Sequence, residues 1–227
     1  MPYPFQSPPV PGKRPDMGQV RVLIADDHTL FRTGLRLILE EVPDITVGAE
    51  ASTSEEAVDL ALGGGFNVVL LDISMPESGG LTALTEIKHA MPSLPVLMLT
   101  MYGEAHYAVR CLRAGASGYL TKDEAPEEIE RAIRKAISGG KYVSERVAEE
   151  LAVNIGQNLD AAHARLSNRE FEVLRLLTEG MRITEISDIL SLSPNTVSTY
   201  RSRILAKMGL NTTAELVQYA LKNKLVT

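Results

Sequence analysis

The sequence predicts an α/β doubly wound, five-stranded parallel sheet followed by an all-α, four-helix unit. Three observations carry this. Apolar, β-prone runs alternate with helix-periodic runs five times between about residues 20 and 138. The strand pattern stops after Gly140. From Leu166 onward only short helical runs recur, each closed by a capping or glycine signal.

The first strand is Val20–Ala25, and His28–Glu41 follows with Leu30, Phe31, Leu35, Leu37 and Ile38 at helical spacing. Ile45–Ala49 is the second strand. Ser54 then caps a helix with Glu55 and Glu56 in its first turn, and Gly63-Gly64-Gly65 ends it. Val68–Leu71 is the third strand, and the Leu81–Ala90 helix stops at Met91-Pro92. Pro95–Thr100 is the fourth strand, followed by a helix over Glu104–Ala114. Gly118–Leu120 is the fifth, followed by a helix over Ala125–Ser138. Residues 141–163 are polar and weakly periodic, which suits a linker. Ser167 with Glu170 forms a capping box for the next helix. Ile183–Leu190, a helix capped by Ser193 with Pro194 in its first position, and Thr212–Asn223 complete the bundle. The expected division is a disordered leader at 1–18, an α/β domain at 19–140, a linker at 141–163 and a helical domain at 164–227.

Composition narrows the class. One cysteine, Cys111, excludes an internal disulfide and suits a reducing, cytoplasmic setting. No apolar run approaches the roughly 20 residues of a membrane helix, so no membrane partner is expected. Six prolines fall within the first 18 residues, which lack the apolar core of a signal peptide. The net charge of −6 is unevenly spread: residues 164–227 carry nine Lys/Arg against six Asp/Glu. A mildly basic end on an acidic body points to nucleic acid at that end only, a signal common enough in other domains to need support.

The chemistry lies at strand ends. Asp26-Asp27 follow the first strand and Asp72 the third, where open parallel sheets place their sites. Three carboxylates on one edge repel unless a cation joins them. Mg²⁺, which takes oxygen ligands, would use Asp26, Asp27, Asp72 and the main-chain carbonyl of Ser74. Asp72 would then accept a phosphoryl group, with Lys122 neutralising the transferring oxygens and Thr100 donating to the product. Tyr119 would swing inward as Thr100 is pulled, a packing switch. Taken singly, each residue has a plainer use as cap, turn, packing or solvated side chain; together at successive strand ends they make a site.

In the helix after Ser193, Val197, Ile204, Leu205 and Met208 recur at three-to-four spacing and should face the bundle. Ser198, Thr199, Ser202 and Arg203 then face outward, with Arg201 and Lys207 at the flanks. Small donors toward base edges and cations toward phosphates are what a recognition helix needs. A basic solvated face is the alternative.

Asp26-Asp27, Asp72 with Met75-Pro76 and Gly80, Thr100, Tyr119 and Lys122 resemble the receiver domain of bacterial response regulators, flavodoxin-like in fold. Leu166-Ser167-Asn168-Arg169-Glu170, Gly180, Glu185-Ile186, Ser193 to Val197 and Lys207-Met208 resemble the helix-turn-helix domain of LuxR/NarL-type regulators. The joint resemblance, to two-component regulators of the NarL/FixJ class, implies that a sensor histidine kinase phosphorylates Asp72. It further implies that Ser198, Thr199 and Ser202 read DNA, that Thr212–Asn223 forms a homodimer contact, and that the product is a transcription regulator rather than an enzyme. The receiver would be a second dimer surface and RNA polymerase a further partner. Lys122 is followed by Asp123 where many receivers have proline; many regulators with this output domain lack that proline too. Two rival classes stay open: an aspartate-based phosphohydrolase, which wants a second acid where Ser74 stands, and a ligand-sensing or phosphorylation-independent DNA binder.

Overall fold

The computed structural model describes residues 18–75, 79–101, 105–145, 147–149, 162–190, 192–223 and 225. Except for Gly18, the expected leader lies outside these, as do Glu104 and most of the expected linker.

Six parallel strands form one sheet in the order β2-β1-β3-β4-β5-β6. They are β1 (Val20–Ala25), β2 (Ile45–Ala51), β3 (Val68–Asp72), β4 (Val96–Thr100), β5 (Gly118–Thr121) and β6 (Tyr142–Val143). Every residue of β3, β4 and β5 is buried, as expected for strands covered on both faces, whose sequence reads as an unbroken apolar run. The helices that cover them are α1 (Thr29–Glu40), α2 (Ser54–Gly63), α3 (Gly80–Ala90), α4 (Ala105–Arg113) and α5 (Pro126–Ile137). Strand order reverses beside β1, so the carboxyl ends of β1 and β3 lie side by side. That junction is where sheets of this topology leave a crevice.

The structure corrects two expectations. The sheet has six strands, not five: Tyr142 pairs with Gly118 and Val143 with Tyr119. Two residues are too few for periodicity to reveal. Gly118 permits the pairing, because a Cβ there would stand 2.5 Å from the Tyr142 carbonyl oxygen. The cap of α2 is Thr53, whose Oγ1 accepts the Glu56 N–H at 3.2 Å, while Ser54 is the first helical residue and fully buried.

The second unit comprises α6 (Asn168–Thr178), α7 (Ile183–Ile189), α8 (Pro194–Met208) and α9 (Thr213–Lys222), preceded by a 3-10 turn at Ala162–Arg165. The expected capping box is present: Ser167 N–H donates to Glu170 Oε2 at 2.7 Å and Glu170 N–H to Ser167 Oγ at 3.3 Å. Phe171, Leu174, Ile186, Val197, Ile204 and Leu216 fill the core. Each such buried side chain contributes roughly 1.5–3 kcal/mol relative to exposure.

Candidate functional site

The sheet edge gathers the predicted acids. Asp26 extends from β1, its N–H held by the Ala51 carbonyl at 3.0 Å, and Asp72 is the last residue of β3. Both are almost fully buried, at 0% and 1% exposure. Lys122, just past β5, reaches between them: its Nζ lies 2.6 Å from Asp26 Oδ2 and 2.9 Å from Asp72 Oδ2. Its own N–H donates to the Thr100 carbonyl at 2.6 Å, and the Phe31 ring lies beneath the ammonium at 4.9 Å. The Ser74 N–H donates to Asp72 Oδ1 at 3.2 Å, and the His28 N–H to Asp26 Oδ1 at 2.9 Å.

Burial pushes the Asp72 carboxyl up to about 6; Lys122 opposes the rise and the Asp26 charge adds to it. A single ammonium thus serves two buried carboxylates and undercompensates them. Asp27 is partly exposed, with Oδ1 2.8 Å from His28 Nδ1. One ligand atom from each of Asp26, Asp27, His28 and Asp72 falls within 4.8 Å of the others. Asp26 Oδ2 and Asp27 Oδ1 are buried without an aligned hydrogen-bond donor. Oxygen-rich, anionic and undersatisfied, this donor set fits a hard divalent cation. His28, adjoining the acids, was missed as a neighbour by the sequence reasoning; its position after Asp27 was the available signal.

Thr100 ends β4 and is buried, aligned with Thr121 on β5. The Tyr119 ring is fully buried in the resting fold, packed in the apolar cluster that also holds Tyr107 and Cys111.

The helical unit presents α8. Ser193 Oγ accepts the Thr196 N–H at 3.1 Å, Pro194 opens the first turn, and Gly209, at φ 67°, ends the helix. Val197, Ile204, Leu205 and Met208 are buried as expected. Thr199, Ser202 and Arg203 are exposed and Ser198 is half-buried. The flanking cations are engaged elsewhere: Arg201 Nε donates to Thr213 Oγ1 at 2.8 Å, and Lys207 Nζ pairs with Glu170 Oε2 at 2.6 Å. Burial acts to raise the Glu170 carboxyl, but the Lys207 and Ser167 bonds outweigh it and hold it below its usual range. Lys207 thus ties α8 to α6 rather than standing free. Sequence reasoning missed Asn195, exposed one turn before Thr199 and lining a shallow crevice with Thr199, Tyr200 and Arg203.

Residues 22–134 match the response regulator receiver domain, and residues 164–220 match the bacterial regulatory proteins of the luxR family. The response regulator UvrY of Escherichia coli K12 is 38% identical over 208 residues, spanning 91% of this chain and 95% of that protein. The response regulator GacA of Pseudomonas aeruginosa is 35% identical over 209 residues, spanning 91% and 98%. RcsB from Salmonella enterica serovar Typhimurium, solved bound to the rprA promoter with phosphomimetic BeF3−, is similar at TM-score 0.61. It is 29% identical, with coverage of 88% of this chain and 98% of that one. With both domain families matched in order and full-length relatives covered nearly end to end, the chain belongs to the two-component response regulators that join a receiver to a LuxR-type helix-turn-helix domain.

Proposed function

We propose that a sensor histidine kinase phosphorylates Asp72, that the phosphorylated chain pairs with a second copy, and that the pair binds promoter DNA through α8 to regulate transcription. The observation that carries this is the Asp26–Lys122–Asp72 arrangement: a buried acceptor carboxylate with a cation already poised for the incoming oxygens. Asp26, Asp27, Asp72 and the Ser74 carbonyl would hold Mg²⁺, which supplies charge neutralisation when bound. Asp72 attacks phosphorus, Lys122 steadies the transferred oxygens, and Thr100 donates to the new phosphoryl group. Tyr119 and α4 repack in response. The UvrY and GacA relatives, both response regulators, and the RcsB complex with DNA support the reading.

For the DNA face, exposure supports Asn195, Thr199, Ser202 and Arg203, with the half-buried Ser198 between them. Thr199 Oγ1 and Ser202 Oγ donate to the helix carbonyls of Asn195 and Ser198 at 2.9 and 3.0 Å. Their hydroxyls remain acceptors, so direct reading is weak and DNA shape carries part of the specificity. Arg201 and Lys207 act from the flanks, steadying α8 first. The exposed Leu221 on α9 suits the dimer contact, and two-fold pairing sets half-sites about 10 bp apart. The division into receiver, linker and output domain near residues 140 and 164, and a cytoplasmic location, follow from the same reading.

The test is selection of DNA from a random pool with and without acetyl phosphate and Mg²⁺. Enrichment of paired half-sites only with the donor is expected; identical pools would remove phosphorylation from the account. Arg203→Ala should weaken binding to the selected site about tenfold at fixed salt. Unchanged affinity in a gel-shift titration would place the reading face elsewhere on α8.

A further inference from the structure

The acid cluster has a fourth member that the proposed function leaves idle. His28 follows Asp27 and stands at the N-cap of α1, its backbone extended at φ −80° and ψ 95°. A side chain at that position commonly turns back to accept an N–H of the first helical turn. His28 makes no such capping bond among the described residues. Its ring turns to the carboxylates: Nδ1 lies 2.8 Å from Asp27 Oδ1 and 3.4 Å from Asp26 Oδ1. The side chain is 60% exposed, so tight packing does not impose this orientation.

The short approach lacks hydrogen-bond geometry. Asp27 Oδ1 is buried and has no aligned donor among the described residues, the imidazole at 2.8 Å included. The other carboxylate oxygens of the cluster's core are served. Lys122 Nζ reaches Oδ2 of both Asp26 and Asp72, the main-chain N–H of His28 donates to Asp26 Oδ1, and the Ser74 N–H to Asp72 Oδ1. Asp27 Oδ1 and the imidazole nitrogen are the pair that converges with lone pairs unspent. Their spacing suits a shared ion. Adjacent ligands of an octahedral ion, each ~2.1 Å from it, stand about 3 Å apart. The two approaches of Nδ1, at 2.8 and 3.4 Å, bracket that value. One ligand atom from each of Asp26, Asp27, His28 and Asp72 also lies within 4.8 Å of the rest. Carboxylates alone suit Mg²⁺, whereas an imidazole adds little for a hard ion and much for Ni²⁺, Cu²⁺ or Zn²⁺.

We propose that His28 is a metal ligand, and that with Asp27 and the neighbouring acids it makes this pocket a mixed nitrogen–oxygen site that takes a divalent first-row transition ion in preference to Mg²⁺. The inference rests on the reading of the acid cluster as a cation site. An ion held there takes the place of Mg²⁺, so the two exclude one another.

The test is calorimetric titration of the full-length, EDTA-stripped chain with Ni²⁺ and with Mg²⁺ at one fixed pH. The unaltered chain should bind Ni²⁺, and bind it less tightly as Mg²⁺ is added. His28→Ala should lose at least about tenfold in Ni²⁺ affinity, while its Mg²⁺ affinity stays within about twofold. The retained Mg²⁺ affinity shows at the same time that the variant's pocket is folded. His28→Gln, which offers oxygen where the imidazole offers nitrogen, should not restore Ni²⁺ binding. His89→Ala, an exposed histidine on α3, should match the unaltered chain. With Cu²⁺ bound, pulsed EPR should show the remote-nitrogen modulation of a coordinated imidazole, lost in His28→Ala and kept in His89→Ala. Unchanged Ni²⁺ affinity in both His28 variants overturns the ligand, as does an equal loss in His89→Ala. So does Ni²⁺ binding that ignores Mg²⁺, or a Mg²⁺ affinity that falls as far as that for Ni²⁺ in both His28 variants. If the unaltered chain binds neither ion, the cation site itself falls and the role of His28 with it.

Discussion

Asp72→Asn should abolish phosphate uptake from acetyl phosphate and, in the metal-free protein near neutral pH, raise the melting temperature. The two effects have one cause. Burial of the Asp72 carboxyl raises it from 3.8 to about 6, with Asp26 adding and Lys122 opposing. The folded state therefore holds this proton more tightly than the unfolded chain. Stability from this group is fullest below about 3.8, declines as pH rises through about 6, and is lost above it. At 1.4 kcal/mol per unit the penalty on the ionised group is about 3 kcal/mol. Asn carries no charge to desolvate, and Lys122 keeps Asp26 as a partner at 2.6 Å. Thermal melts in EDTA at pH 7.5 and at pH 4 measure this: the variant should be the more stable at pH 7.5, with the gap closing at pH 4. A variant less stable at pH 7.5 would mean that the Lys122 bond outweighs burial. A variant still phosphorylated would place the acceptor elsewhere.

Much of this site was legible because its chemistry sits at strand ends. Asp26, Asp72, Thr100 and Lys122 each follow a short apolar run, so topology alone brings them together. The α6 and α8 caps were legible for a similar reason: Ser167 with Glu170, and Ser193 with Pro194, act within one turn. What escaped depends on long-range partners. Lys207 looks like a free cation in sequence, and only the packing of α8 on α6 sets it 2.6 Å from Glu170. Tyr142–Val143 forms a strand only because β5 offers an open edge with a glycine at the closest approach. The α2 cap falls on Thr53 rather than Ser54, adjacent hydroxyls that the local sequence does not separate; in the fold Ser54 is the first helical residue and fully buried. The bonds from Arg110 to the Leu166 and His163 carbonyls have no sequence signature, since both acceptors are main-chain atoms.

Gly80→Ala should destabilise the receiver by about 3 kcal/mol or more, beyond the ordinary range for overpacking. A Cβ at Gly80 would stand 1.8 Å from the Asp72 carbonyl oxygen, 2.8 Å from its carbon and 3.0 Å from Ile73 Cα. All three are backbone atoms, so no rotamer change relieves the clash; α3 must withdraw or the end of β3 must bend. The Gly80 N–H bond to the Ile73 carbonyl, at 3.0 Å, would be strained with it. Gly79 is the internal comparison. It adopts φ 77°, but a Cβ there meets nothing nearer than 3.9 Å. Gly79→Ala should therefore cost only the backbone penalty of φ 77°, ψ 153°, a region open essentially to glycine alone, roughly 1–3 kcal/mol. Urea unfolding followed by circular dichroism separates the two, and equal midpoints would deny the close approach. The order of effects bears on the proposed function because Gly80 lets α3 begin against the main chain of Asp72, the proposed acceptor. That contact fixes the Asp72 backbone, while its side chain is held separately, by the Lys122 ammonium at 2.9 Å and the Ser74 N–H at 3.2 Å.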